Sequence, residues 1–189
     1  MKENRKGDIF MSLVNTPSGN RLHIGIFGKR NSGKSSLLNA ITGQEIALVS
    51  EVKGTTTDPV SKAMEIHPIG PCLLIDTAGF DDTGDLGNMR IEKTKAVLDK
   101  TDVAVVVFSD MQMELETQWI AMLRQRKIPI LAVVNQVDRI EQVQEIKRQI
   151  EQRFSLTPLL VSAKEKTGIS QMKHEILRLM PPDFEAQGL

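Results

Sequence analysis

Apolar residues follow two rhythms along this chain, and the rhythms alternate. Short apolar runs fill positions 22–27, 72–75, 103–108, 128–134 and 158–161. Runs of this length suit strands buried on both faces of a parallel sheet. Between them apolar positions return every three or four residues. Leu115, Trp119, Met122 and Leu123 form one such set. Ile140, Val143, Ile146, Ile150 and Phe154 form a second, and Ile169, Met172, Ile176 and Leu179 a third. Each predicts an amphipathic helix whose intervening charges face solvent. Two more helices are predicted over 35–41 and 89–100, and a strand over 62–67 joins the strand over 72–76 through the turn Pro68-Ile69-Gly70-Pro71. Alternating strands and helices imply right-handed βαβ units. The expected fold is therefore α/β: a mostly parallel six-stranded sheet with helices on both faces.

The polar segments divide the chain. Residues 1–19 close on Thr16-Pro17-Ser18-Gly19 and read as a flexible lead-in. Residues 44–59 and 80–87 read as mobile loops, and 20–180 as one domain. The tail 181–189 begins Pro181-Pro182, which stops the last helix, and reads as a linker toward further domains.

Charge changes this picture little. Among 189 residues, 24 lysines and arginines balance 24 aspartates and glutamates, so no global field draws the chain to nucleic acid or an anionic membrane. Cys72 is the only cysteine, which excludes a disulfide framework and a zinc or iron–sulfur site built from this chain alone. Its apolar neighbours suggest a buried, inert thiol. No apolar run approaches the ~20 residues that cross a bilayer. The charged start, Met1 to Asp8, lacks the apolar core of a secretory signal, so a soluble cytoplasmic chain is expected.

The candidate chemistry sits where strands end, which is where such sheets bind ligands. Gly28-Lys29-Arg30-Asn31-Ser32-Gly33-Lys34-Ser35 follows the first strand and opens a helix. Its backbone N–H groups, from Gly28 through Asn31, Ser32 and Gly33 to Ser36, would converge on anionic oxygens. Lys34 would reach β- and γ-phosphates, and the Ser35 hydroxyl would ligate Mg²⁺. Asp76-Thr77-Ala78-Gly79 closes the third strand. Asp76 would hold Mg²⁺ through its water shell, and the Gly79 N–H can approach a γ-phosphate because no side chain intervenes. Asn135-Gln136-Val137-Asp138 closes the fifth. Asp138 can accept hydrogen bonds from guanine N1 and N2, a donor pair that adenine lacks. Ser162-Ala163-Lys164 follows the sixth and could offer the Ala163 N–H to guanine O6.

With these motifs in order, the chain resembles the translation-factor-like P-loop GTPases, and within them the potassium-responsive TrmE-Era-EngA-like group. The resemblance covers about residues 20–180. Further segments are similar to the iron–iron hydrogenase maturation GTPases, the HydF family: Pro17-Ser18-Gly19-Asn20-Arg21-Leu22-His23-Ile24-Gly25-Ile26-Phe27-Gly28, Ala47-Leu48-Val49-Ser50, Gly54-Thr55-Thr56-Thr57-Asp58-Pro59-Val60, and Pro68-Ile69-Gly70-Pro71 before Asp76-Thr77-Ala78-Gly79 and the charged stretch after it. A ribosome-assembly or tRNA-modification GTPase domain is the alternative. The resemblance implies hydrolysis of GTP to GDP and phosphate, dependent on Mg²⁺ and stimulated by K⁺. It assigns Mg²⁺ to Ser35, Asp76 and a switch threonine, Thr56, with Thr55 and Thr57 adjacent to it, and K⁺ to Asn31. Lys34, Thr56, Gly79 and Asn31 would be the catalytic set. The HydF resemblance implies a longer parent protein, possible homodimers, and partnership with the hydrogenase and the radical maturation enzymes, without direct nucleic-acid or membrane contact. Two departures stand out. Gln136 occupies a position where lysine is usual, which should weaken affinity and spare selectivity. Phe80 stands where many GTPases have a water-orienting glutamine, so catalysis would draw on Asp81, Asp82 or Asp85, a cation, or the backbone, and slow turnover is expected.

Overall fold

The computed structural model describes residues 21–42, 51–52, 61–77 and 87–185. Seven strands and six helices occur in the order β1 (Leu22–Gly28), α1 (Lys34–Thr42), β2 (Glu51–Val52), β3 (Ser61–Ile66), β4 (Gly70–Asp76), α2 (Gly87–Lys100), β5 (Val103–Phe108), α3 (Glu114–Gln125), β6 (Ile130–Val134), α4 (Val143–Phe154), β7 (Leu159–Leu160), α5 (Ile169–Leu179) and α6 (Pro182–Glu185) among the described residues. They build one sheet in the order β2-β3-β4-β1-β5-β6-β7. The six expected strands all form, and the two-residue β2 adds an antiparallel edge beside β3. The β3–β4 hairpin is antiparallel, while β4, β1, β5, β6 and β7 run parallel.

Strand periodicity explains how the sheet is covered. All six residues of β5 are buried, and they divide by parity. Val103, Val105 and Val107 pack in one core with Leu37 and Ile41 of α1 and Met172 and Ile176 of α5. Ala104, Val106 and Phe108 pack on the other face with Val97 of α2, Trp119 and Leu123 of α3, and Ile146 and Ile150 of α4. Successive side chains of a strand point to opposite faces, so a strand sandwiched between helix layers must be apolar throughout. Full burial of one such side chain is worth roughly 1.5–3 kcal/mol. Cys72 lies in the first core, where burial pushes its thiol up to about 12, an unreactive state.

Some boundaries differ from expectation for local reasons. Gly70 and Pro71 belong to β4, paired with Ile66 and Glu65, so the turn is shorter than expected. Ile140 precedes α4, because its N–H and that of Arg139 both bond the Gln136 carbonyl and close a separate turn. Ser155 ends α4 in a left-handed conformation at φ 52°. Within the tail expected to be a linker, Pro182–Glu185 form a short helix, and Phe184 packs on the first core. No helix among the described residues is long and apolar enough to cross a membrane.

The strand order also fixes where a ligand can enter. β1 lies between β4 and β5, so chain progression reverses direction at β1. Crevices at such reversal points, outside the carboxyl ends of strands, are the binding sites of open α/β sheets.

Candidate functional site

The glycine-rich loop leaves β1 at Gly28 and enters α1 at Lys34. Two residues give it its curvature, Asn31 at φ 68° and Gly33 at φ 81°. Asparagine tolerates the left-handed region better than most residues, and glycine carries no penalty there. The Ser32 N–H closes a turn on the Lys29 carbonyl at 3.1 Å, and the Leu37 N–H starts the helix ladder on the Gly33 carbonyl at 2.9 Å. Lys34 is buried at 8% exposure, with its Nζ donating to the Gly28 carbonyl. An ammonium held so close over the loop is placed to donate charge-assisted hydrogen bonds to anionic oxygens that enter it. Ser32 is fully buried, and its hydroxyl has no partner among the described residues. Ser35 and Ser36 are exposed on the first turn of α1.

The end of β6 braces this loop. Asn135, 1% exposed, donates from Nδ2 to the Ser32 carbonyl at 3.0 Å and the Gly33 carbonyl at 3.4 Å. Gln136 donates from Nε2 to the Asn31 carbonyl at 3.0 Å. Three successive loop carbonyls are thus held by two adjacent side-chain amides. The bracing explains the glycine at 33: a Cβ there would lie 2.5 Å from Asn135 Nδ2. The Gln136 bond shows that glutamine, in the position where lysine is usual, anchors the loop here.

The third component follows β7. The Ala163 N–H donates to Asn135 Oδ1 at 3.2 Å, so in this structure that N–H faces the asparagine. Buried Ser162 donates its hydroxyl to Asp138 Oδ1 at 2.6 Å and accepts the Glu165 N–H at 3.1 Å. Paired backbone bonds between Ser162 and Thr167 hold that turn. The Ser162 hydroxyl is the main cause that lowers the Asp138 pKa, so the exposed carboxylate stays ionised below its ordinary range. A cavity of about 230 Å³ opens among these parts. Gly33 and Ser36 line it from the loop, Asn135, Gln136, Asp138 and Arg139 from the β6 end, and Ala163 and Lys164 from the β7 end.

Asp76 ends β4 directly beside Ile26 of β1, which brings its carboxylate to the edge from which the loop departs. The Thr77 hydroxyl, buried, donates to the Ile26 carbonyl at 2.6 Å and fixes that strand end. Gly79, Phe80, Asp81, Asp82 and Asp85, and Thr55, Thr56 and Thr57, lie outside the described residues. Of the expected site, the structure therefore brings together Gly28, Asn31, Ser32, Gly33, Lys34, Ser35, Ser36, Asp76, Asn135, Asp138, Ser162, Ala163 and Lys164.

Two participants had no signal in the sequence. Arg139 lines the cavity, though nothing distinguishes it from any arginine that follows a strand-end turn. Lys29 ties the loop to the β5–α3 connection, donating to Asp110 Oδ1 and the Gln112 carbonyl, each at 2.6 Å. It also lies 3.6 Å from Glu116 Oε1. Glu116 is 1% exposed and its Oε2 lacks a partner among the described residues; desolvation pushes its carboxyl up to about 7.

Residues 23–136 match the family described as 50S ribosome-binding GTPase. GTPase Der of Wolinella succinogenes is 33% identical over 172 residues, which cover 84% of this chain and 36% of Der. The tRNA modification GTPase MnmE of Bordetella petrii is 38% identical over 162 residues, covering 84% of this chain and 33% of MnmE. The chain thus spans about a third of the length of these curated relatives. Among solved structures, Aquifex aeolicus Era bound to GDP.AlF4- superimposes with a TM-score of 0.66 at 24% identity, covering 84% of this chain and 56% of that one.

Proposed function

The chain belongs to the 50S ribosome-binding GTPase family, and from that premise we propose that its cavity and loop bind one GTP with Mg²⁺ and hydrolyse it to GDP and phosphate. One observation carries the reading: the amides of Asn135 and Gln136 hold three successive carbonyls of the glycine-rich loop. A base reader and an anion cradle so joined form a single pocket, with guanine against Asp138 and the phosphates against the loop.

In this reading Asp138 accepts the N1–H and N2–H of guanine, and the Ser162 hydroxyl holds the carboxylate in place for it. Lys34 leaves the Gly28 carbonyl to meet β- and γ-phosphate oxygens. The N–H groups of Gly33 and Lys34 complete the cradle, a fixed array of dipoles aimed at developing charge. Among the described residues no group of three or more His, Cys, Asp or Glu could hold a metal. The Ser35 hydroxyl and the Asp76 carboxylate are nonetheless the hard oxygen donors that suit Mg²⁺, which keeps several waters and takes the rest of its shell from phosphates. Held by Ser35 and Asp76, Mg²⁺ would supply positive charge beside the transferring phosphoryl group. Thr56 is assigned as a further ligand and the Gly79 N–H as a γ-phosphate contact. Exposed Asn31 offers an amide oxygen for K⁺, whose charge would serve as an arginine does in other GTPases. Phosphate release measured with GTP and ATP, in KCl and in NaCl, tests this. Release from GTP that is faster in KCl is expected, and equal rates with the two nucleotides would overturn it.

The similarity to Der and MnmE supports a ribosome-assembly or tRNA-modification role for the parent protein. The hydrogenase-maturation reading rests on the segments at 17–28, 47–50, 54–60 and 68–71. It predicts that the full-length protein binds the hydrogenase or a radical maturation enzyme differently in its GTP and GDP states. Unchanged affinity between those states would remove that reading and leave the GTPase domain intact.

A further inference from the structure

We propose that Gln136 is a positioning residue for nucleotide phosphate, a neutral clamp that holds the glycine-rich loop in its receiving shape. The proposal rests on the GTP-binding function above and concerns the departure from lysine at this position. The Gln136 Nε2 bond to the Asn31 carbonyl spans 105 positions of sequence and joins two residues that are both left-handed, at φ 64° and φ 68°. Such conformations in residues other than glycine persist where the surroundings over-determine them.

The peptide between Asn31 and Ser32 is pinned at both ends. Gln136 takes its carbonyl, and its N–H is donated to the Lys29 carbonyl at 3.1 Å. The next two peptides have their carbonyls turned toward Asn135. Because a trans peptide directs its N–H opposite its C=O, the N–H groups of Gly33 and Lys34 face the other side of the loop. Release of the first peptide frees the left-handed turn on which that orientation depends. Glutamine supplies this restraint without placing a charge beside the loop, so the restraint should be insensitive to salt. The clamp acts on the phosphate end of the ligand, whereas Asp138 acts on the ring.

The two roles separate by ligand. GDP and guanosine are competed against a fluorescent guanine nucleotide on wild type, Gln136→Leu, Gln136→Glu and Gln136→Lys. Loss of one such hydrogen bond should weaken GDP about tenfold in Gln136→Leu. Gln136→Glu, the same shape with an acceptor facing a carbonyl, should weaken it further. Gln136→Lys, which can still donate, should bind GDP within about threefold of wild type, and guanosine should change less than about twofold throughout. An equal loss for guanosine and GDP would place Gln136 on the ring and overturn the proposal, as would unchanged GDP affinity in both Gln136→Leu and Gln136→Glu. Wild-type protein that binds neither ligand would instead overturn the function on which the proposal stands.

Discussion

Asn135→Ala probes the joint on which the pocket depends. The side chain, 1% exposed, makes a 3.0 Å bond to the Ser32 carbonyl and a longer one at 3.4 Å to the Gly33 carbonyl, and accepts the Ala163 N–H at 3.2 Å. Each full bond is worth about 1 kcal/mol net, and a buried group left without a partner costs roughly 1–3 kcal/mol. Alanine strips the loop carbonyls and the Ala163 N–H of their partner at once, for a total of about 3 kcal/mol. In a chain of this length that lowers the unfolding midpoint by roughly 6–12 °C. Circular dichroism on nucleotide-free protein gives the midpoint. Fluorescence of Trp119, buried against Phe27 at a ring separation of 6.1 Å, gives an independent reading from the opposite face of the sheet. Asn135→Asp should be at least as damaging, because an oxygen would face the Ser32 carbonyl. An alanine variant that unfolds within about 1 °C of wild type would refute the claim that this amide joins the loops.

Glu116 should make stability fall as pH rises. Its carboxyl, raised to about 7, holds a proton in the folded chain that the unfolded chain releases near 4.5. The stabilisation is complete below 4.5 and is lost through pH 7, on the order of 3 kcal/mol in all; urea unfolding of Glu116→Gln should show a flatter pH profile than wild type between pH 5 and 8. Asp138 has the opposite sign, since its lowered pKa keeps the carboxylate charged until pH falls below the ordinary range. The acid limb of GDP binding should therefore lie below that range and move upward in Ser162→Ala, which a pH series of titrations would detect. Gly33→Ala should weaken GDP binding at least tenfold, because a Cβ at φ 81° would lie 2.5 Å from Asn135 Nδ2; affinity within about twofold of wild type would contradict the crowding.

The β-branched run 103–108 announced a central strand because a short β-branched run suits a strand covered on both faces, and all six of its positions are buried. The helices at 143–154 and 169–179 were equally legible, since their buried residues recur at helical spacing. β2 was not, for two residues carry no period, and Glu51–Val52 form a strand only through pairing with β3. The positions of Lys34, Asn135, Asp138 and Ala163 followed from strand ends, because a parallel sheet gathers those ends at one edge. How they touch did not follow. The Gln136 bond to Asn31 depends on two left-handed residues far apart in sequence, and the sequence suggested only a missing lysine. Lys29 paired with Asp110 for the same reason: the contact arises from neighbouring strands β1 and β5, not from neighbouring residues.

The central claim is that one pocket holds the phosphates at the glycine-rich loop and reads the purine at Asp138. Calorimetric titration of the protein with GDP and ADP in Mg²⁺, repeated on Asp138→Ala, addresses it most directly. One GDP per chain should bind with measurable heat, ADP should give none at the same concentration, and the alanine variant should lose the GDP signal. Comparable binding of ADP, or GDP binding untouched in Asp138→Ala, would contradict the assignment.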